Sequence, residues 1–310
     1  MTKKILVATE KPFAKEAIDL MKGVVAKHSG YKLELLENYT DAAQLKDAVK
    51  DADALIVRSD KATKEVLEAG KNLKIVVRAG AGYDNIDLAA ATACNIVAMN
   101  TPGQNSNAVA ELSIGMMIMS ARNNYNGKSG TEIKGKSLGI YGLGNIGKLT
   151  AQYAKAFGMT VNVYVRNYEK YKADIEELGL NYCDSVAKLF ETSQYVSLCI
   201  PASAETKASV NYDLLSKMPK GACLVNTARK ELIDEEGLKK VMAERSDFRY
   251  ASDVAPDCAA ELKEKYGDRV FFTPKKLGAQ TEEANINAGV AAVKQIIRFF
   301  DKGDVTFKVN

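Results

Sequence analysis

The chain has 310 residues, 46% of them hydrophobic, which suffices for the cores of two domains of ordinary size. Its net charge of +4 comes from lysines interleaved with acids rather than from a basic block, which argues against a nucleic-acid partner. No apolar run reaches the ~18 residues of a membrane span, and the start MTKKILVATEKPF enters a strand without the features of a signal peptide.

In chain order, KILVAT (4–9) is an apolar strand, and 12–26 carries apolar residues at helical spacing. YKLELLE (31–37) alternates as a strand, and 41–49 is helical. ALIVR (54–58) and LKIVV (73–77) are fully apolar strands with a helix over 63–69 between them. This alternation implies a parallel sheet with helices on both faces. Residues 104–122 read as one long helix, apolar nearly all round, which must be buried between two domains or two subunits. A homodimer is therefore expected.

SLGIYGLGNIGK (137–148) then places Gly142, Gly144 and Gly147 in G-x-G-x-x-G spacing, between an apolar strand and a helix over 146–157. The first glycine allows the tight turn, and the second lets the backbone approach a pyrophosphate. The third lets helix and strand pack closely, so that N–H groups at the helix start face the phosphates of a dinucleotide. Strands follow near 160–165, 194–200, 222–226, 249–254 and 270–273, and a last helix, 282–300, returns the chain towards its beginning. The expected architecture is α/β, with two doubly wound parallel-sheet domains. One is discontinuous, over 1–100 and 285–310, and 101–284 is inserted in it. Cys94, Cys183, Cys199, Cys223 and Cys258 stand singly, without disulfide or zinc spacing. Reduced thiols, a cytoplasmic location and no metal are expected.

Three arginines follow or end apolar strands: Arg58, Arg78 and Arg229. The carboxyl ends of such strands are where ligands bind in open α/β folds. A guanidinium fork suits a carboxylate, and cations beyond Arg229 suit a substrate that also carries a phosphate. The glycine-rich loop 79–82 can bring backbone N–H groups close to an anion.

Taken in order, LIVRSDKATKEVL (55–67), VVRAGAGYDNIDLAAA (76–91), NTPGQNSNAVAE (100–111), GLGNIG, VNTARKELIDEEGL (225–238), YASDVAP (250–256) and TPKKLGAQTEEA (273–284) resemble the D-isomer-specific 2-hydroxyacid dehydrogenases over almost the whole chain. The resemblance implies a Rossmann-type nucleotide domain inserted into a flavodoxin-like substrate domain, with NAD or NADP as cofactor. It implies Arg229 as a catalytic residue, and Arg58, Ser59, Arg78, Ala79 and Gly80 at the substrate. At the cofactor it implies Ala81, Gly142, Gly144, Asn145, Ile146, Gly147, Arg166, Ile200, Pro201, Thr227, Ala228, Arg229, Asp253, Lys276, Gly278 and Ala279. Asp253 would accept a hydrogen bond from the nicotinamide amide.

Three departures qualify the resemblance. Where the family has an Asp for the adenosine ribose, TVNVYVRN places Val165, with Arg166 beside it, and an arginine there can accommodate the 2′-phosphate of NADP. The family's catalytic His is missing from TPKKLGA; the sole histidine, His28, lies in a helix-to-strand connector and reads as a surface residue. Alignment on LGA puts Lys276 in its place, alignment on TP puts Lys275 there, and Lys276 is favoured because the glycine turn after it fixes its placement. An unperturbed lysine is neutral only about 0.04% of the time at pH 7, so a lysine base requires neighbouring cations and partial burial. The family's Glu, partner of that His, falls at Cys258, with Asp257 and Glu261 as stand-ins out of register.

The expected activity is oxidation of a phosphorylated D-2-hydroxy acid, with Lys276 as base and Arg229 on the carboxylate. A glyoxylate or hydroxypyruvate reductase using NADPH is the alternative that Arg166 suggests. A cofactor-sensing protein without turnover is the alternative that the missing His–Glu pair suggests. The chain ends just after the returning helix, so the regulatory domains of some family members are expected to be absent.

Overall fold

Strands made only of Val, Ile, Leu and Ala, such as 54–57, are buried on both faces, which requires helices above and below a parallel sheet. The computed structural model describes residues 2–310 and shows this arrangement twice. The chain begins with β1 (Lys3–Thr9), α1 (Lys15–Ala26), β2 (Tyr31–Glu37), α2 (Ala42–Ala48), β3 (Ala54–Val57), α3 (Lys64–Ala69), β4 (Ile75–Arg78), α4 (Leu88–Ala93) and β5 (Val97–Asn100). It continues through α5 (Ser106–Ala121), β6 (Ser137–Tyr141), α6 (Asn145–Ala156), β7 (Thr160–Tyr164), α7 (Tyr168–Glu177), β8 (Asn181–Tyr182), α8 (Val186–Thr192) and β9 (Tyr195–Leu198). Then come α9 (Tyr212–Leu215), β10 (Cys223–Asn226), α10 (Glu235–Glu244), β11 (Arg249–Ser252), α11 (Ala259–Tyr266), β12 (Val270–Phe272) and α12 (Glu282–Lys302). One unit comprises the residues up to Asn105 with Gln280–Asn310; the other is Ser106–Ala279.

The sheet of the first unit has the order β2-β1-β3-β4-β5, the flavodoxin-like arrangement, all parallel. Its two cores lie on opposite faces. Ile5, Val7, Ile56 and Val77 pack with α1 and α12 on one face, and Leu6, Leu55, Val57 and Val76 pack with Leu45, Val66 and Leu67 on the other. The second unit has seven parallel strands in the order β12-β11-β10-β9-β6-β7-β8. Strand order reverses at β6, whose neighbours are β7 and β9, and β6 is the strand that feeds the glycine turn. The expected α/β architecture of two doubly wound sheets is the one found.

The structure corrects several local readings. Residues 12–14 are not helical, and Ala14 is extended (φ −57°, ψ 146°). Residues 88–93 and 97–100, to which the sequence reading gave no element, form α4 and β5. Helix α5 is buried as expected, but its own unit accounts for that burial. It packs on α6, β10 and β11, and Ile114, Met116 and Met117 enter the same core as Leu138 and Ile140 of β6.

Candidate active site

The glycine turn follows β6. Gly142 sits at φ +98°, a region side chains disfavour, and a Cβ there would come within 2.7 Å of Ile200. A Cβ on Gly147 would run into the carbonyl oxygen of Gly142, so this glycine sets how closely α6 approaches β6. Gly144 is different, because a Cβ there would meet nothing within 4 Å. It is also the N-cap of α6 and supplies no capping side chain. The first N–H groups of α6, from Asn145, Ile146 and Gly147, thus stand uncapped by a side chain beside open space. That is a cradle into which a pyrophosphate fits. Ile200 and Pro201 lie just past the end of β9, the neighbour of β6 across the reversal.

At the far end of β7, Val165 is buried and Arg166 is exposed. Arg166 is tied to Glu205, with Nη1 2.6 Å from a carboxylate oxygen. A 2′-phosphate reaching Arg166 would have to displace that carboxylate or share the cation with it. We expect Glu205→Gln to strengthen NADP binding by up to about tenfold, the size of one charge-assisted contact, and Arg166→Asp to weaken it as much. Fluorescence titration of both variants with NADPH and NADH checks this, and unchanged NADPH affinity in both would place the pair outside the cofactor site.

The loop after β10 is fixed by a residue that the sequence reading passed over. Asn226, fully buried, accepts from the Ala228 N–H (3.0 Å) and donates to the Arg229 carbonyl (2.9 Å), so its amide closes the loop on both sides of the 228–229 peptide. Thr227 is anchored by a buried hydroxyl pair with Ser113 of α5 (3.0 Å). Arg229, half-buried and extended, donates Nη1 to the Ala228 carbonyl (3.0 Å). The backbone beneath the guanidinium is held while most of its donors are not used by that bond.

Asp253, 1% exposed, follows β11. One carboxylate oxygen accepts from the Leu277 N–H (2.7 Å) and lies 3.0 Å from the Thr273 hydroxyl; the other accepts from the Gly278 N–H (2.8 Å). A Cβ on Gly278 would come within 2.9 Å of that second oxygen, so only glycine admits the carboxylate this closely. Sequence reasoning assigned Asp253 to the nicotinamide; here its oxygens hold the 273–278 turn. The clamp grips the residues directly after Lys276, and both Lys275 and Lys276 are exposed on the turn.

Both stand-ins for the missing Glu have partners elsewhere. Asp257 pairs with Lys230 (2.5 Å), and Glu261 with Lys265 (2.7 Å). A different carboxylate, Glu235 in the first turn of α10, accepts from the N–H groups of Asp257 (2.7 Å) and Cys258 (2.9 Å). Burial, with Glu235 beside it, pushes the Cys258 thiol up to about 12, which keeps it protonated and unreactive at neutral pH. Glu235 reads in sequence as an ordinary acid at a helix start, so nothing there marked it.

In the first unit, Arg58 is held by protein groups. Its Nη1 donates to the carbonyls of Lys11 and Pro12 (both 3.2 Å), its Nη2 to Asn285 (2.6 Å), and the guanidinium stacks 4.8 Å from the Phe13 ring centroid. It staples the loop after β1 to β3 and α12. Ser59, next in sequence, is exposed. Asp60, unremarked in sequence, is 5% exposed and gathers the Glu10 N–H (2.6 Å), the Tyr39 hydroxyl (2.9 Å) and the Arg58 N–H (3.2 Å). Arg78 ends β4 and donates Nε to the Arg58 carbonyl (3.0 Å), and its guanidinium lies over Gly80. The 79–81 backbone is held at Ala81, whose carbonyl accepts from Asn100 (2.6 Å).

Residues 106–274 match the family described as D-isomer specific 2-hydroxyacid dehydrogenase, NAD binding domain. Among solved structures, the chain is similar to an NAD+-bound 3-phosphoglycerate dehydrogenase from Entamoeba histolytica. The two are 45% identical with a TM-score of 0.86, over 100% of this chain and 99% of the other. It is 34% identical to a hydroxypyruvate reductase of Thermotoga maritima, over 93% of this chain and 95% of that protein. It is 36% identical to a D-3-phosphoglycerate dehydrogenase of Methanocaldococcus jannaschii, over 82% of this chain and 51% of that one. The chain thus spans about half the length of such curated phosphoglycerate dehydrogenases. With the glycine cradle at the strand reversal and the match covering the second unit, the chain belongs to the D-isomer specific 2-hydroxyacid dehydrogenase family and carries its NAD-binding domain.

Proposed function

We propose that the protein oxidises 3-phosphoglycerate at C2 to the 2-keto acid, the step that opens serine biosynthesis. The observation that carries this reading is the end-to-end likeness to the Entamoeba histolytica 3-phosphoglycerate dehydrogenase. Bound NAD or NADP supplies the hydride acceptor. Lys276, on the turn held by Asp253, takes the C2 hydroxyl proton. It is exposed on that turn, so bound substrate and cofactor must supply the burial that a lysine base requires. Arg229 binds the carboxylate through its fork and steadies the charge that develops on the C2 oxygen. Arg78, which ends β4 with its guanidinium over Gly80, is the phosphate ligand in this reading.

A second reading, hydroxypyruvate reductase, rests on the Thermotoga maritima relative, which the chain matches over 95% of its length. A non-catalytic cofactor sensor is disfavoured, since a buried carboxylate dedicated to presenting a lysine turn serves no sensing purpose. The protein is further proposed to be a cytoplasmic homodimer. The five cysteines are unbridged, no helix among the described residues is long and apolar enough to cross a membrane, and α5 leaves Leu112, Ile118 and Met119 only half-buried.

The test is a panel of 3-phosphoglycerate, glycerate and hydroxypyruvate with each cofactor, followed by absorbance of the reduced nicotinamide. The kcat/KM for 3-phosphoglycerate should exceed that for glycerate. Arg78→Ala should raise KM for 3-phosphoglycerate about tenfold or more and change that for glycerate little. Arg58→Ala should damage both substrates alike and lower Tm, since it opens the loop after β1. Faster turnover of hydroxypyruvate, with Arg78→Ala equally harmful to every substrate, would transfer the assignment to the reductase.

A further inference from the structure

The C-terminal half of α12 and the C-terminal end of α1 flank an open groove of about 410 Å³. Its lining is Lys27, His28, Lys294, Arg298 and Lys302, with Asp301 and an apolar floor of Val24 and Ile297. The four formal cations form no ion pair among the described residues. Asp301 accepts from the Tyr31 hydroxyl (2.5 Å), and Asp304, the other acid near Arg298 and Lys302, is held by the N–H and hydroxyl of Thr306.

Solvated charge at helix ends explains only part of this. Lys27 caps α1 and Lys302 closes α12, where cations offset the negative end of the helix dipole. Lys294 and Arg298 have no such excuse. With Lys302 they form a stripe at i, i+4 and i+8, and like charges at that spacing repel one another and weaken the helix. The protein's single histidine completes the ring. Repulsion along this stripe is offset only in part by Asp301, three residues after Arg298, and an anion among the cations would relieve the rest.

The position is remote from the strand ends that carry Arg58 and Arg78. Helix α1 runs back from the carboxyl end of β1, so Lys27 and His28 lie at the opposite edge of the sheet, next to the start of β2. Likewise Asn285, near the start of α12, touches Arg58, whereas Asp301 near its end touches Tyr31, the first residue of β2.

We propose that this groove binds a small polyphosphorylated anion, the phosphate chain lying on Lys27, His28, Lys294, Arg298 and Lys302. The volume is that of a small-molecule pocket, and the Val24–Ile297 floor suits the base of a nucleoside triphosphate. Inorganic tripolyphosphate and ATP share the chemistry, so both serve as probes. The protein is first saturated with NAD to fill the dinucleotide site, then titrated calorimetrically with each probe. Both bind, with affinity falling as salt rises. Tighter binding of ATP assigns a role to the apolar floor, and equal binding assigns the site to the phosphates alone. The double variant Lys294→Gln, Arg298→Gln weakens both probes by about tenfold or more for each cation removed. Its ligand-free Tm stays level or rises, because the repulsion along α12 is relieved. No binding of either probe, or undiminished binding to the double variant, overturns the proposal.

Discussion

Lys276→Met should lose nearly all turnover of 3-phosphoglycerate, by about 100- to 10,000-fold in kcat, the range a general base contributes. The substitution keeps an unbranched apolar stem on an exposed turn, so the fold and the Asp253 clamp should survive it. NAD affinity should change little, because the pyrophosphate cradle after β6 uses backbone groups of Asn145, Ile146 and Gly147. Lys275→Met is the control for the one-residue ambiguity in aligning TPKKLGA. In the unsubstituted protein, oxidation should accelerate with rising pH through an apparent pKa above the ~6.5 of an ordinary histidine, since a lysine base must first lose its proton. Retained turnover in Lys276→Met with loss in Lys275→Met would shift the register by one residue, and retained turnover in both would end the lysine mechanism.

The second large effect is expected at Asp253. Removing its carboxylate leaves the N–H groups of Leu277 and Gly278 without their acceptor in a site that is 1% exposed. Each hydrogen bond to a charged group is worth about 1.5–3 kcal/mol, so two of them exceed what a six-residue turn can replace. Asp253→Asn is nearly as damaging as Asp253→Ala. Both carboxylate oxygens accept from N–H groups, and an amide must place a donor against one of them. We expect kcat to fall about 100-fold in either variant, because a base displaced by an ångström is poorly placed for proton transfer. The dissociation constant for NAD should move far less. If Asp253→Asn instead weakened NAD and left kcat intact, the residue would belong to the nicotinamide, as the resemblance implied, and its grip on the turn would be incidental.

The sequence was most readable where one residue type performs one job. The segments 54–57 and 75–77 are continuous apolar runs, which in a parallel sheet are buried on both faces. Gly142 and Gly147 report a turn and a close approach that few other residues permit, and Gly144 leaves the space beside them open. By contrast, α4 and β5 come from IDLAAATACNIVAMN, a stretch of small residues whose periodicity fits neither helix nor strand cleanly. The site divides the same way. That Arg229 follows a strand end was visible; that Asn226 holds its loop was not, since the partners of that amide are main-chain atoms. Arg58, Asp60, Glu235 and Asp253 share this property. Each is a charged side chain whose occupation is decided by carbonyls and N–H groups distant in sequence. Motif spacing identifies which charges are present and is silent on which main-chain groups claim them.

Helix α12 has a bearing on how the polypeptide assembles itself. Its Ala288, Ala292, Val293 and Ile296 belong to the same core as Ile5, Val7, Ile18 and Met21 near the other end of the chain. All of Ser106–Ala279 is translated between them. The continuous unit can reach its native state on the ribosome with its core partners already made, whereas one face of the first sheet has only α1 over it until the last helix emerges. Closing so long an intervening loop adds little entropic cost for each extra residue, so the burden is one of time more than of equilibrium stability. During that interval the nascent protein carries a half-finished domain, and the part of β3 and β4 that α12 will cover is a surface open to aggregation.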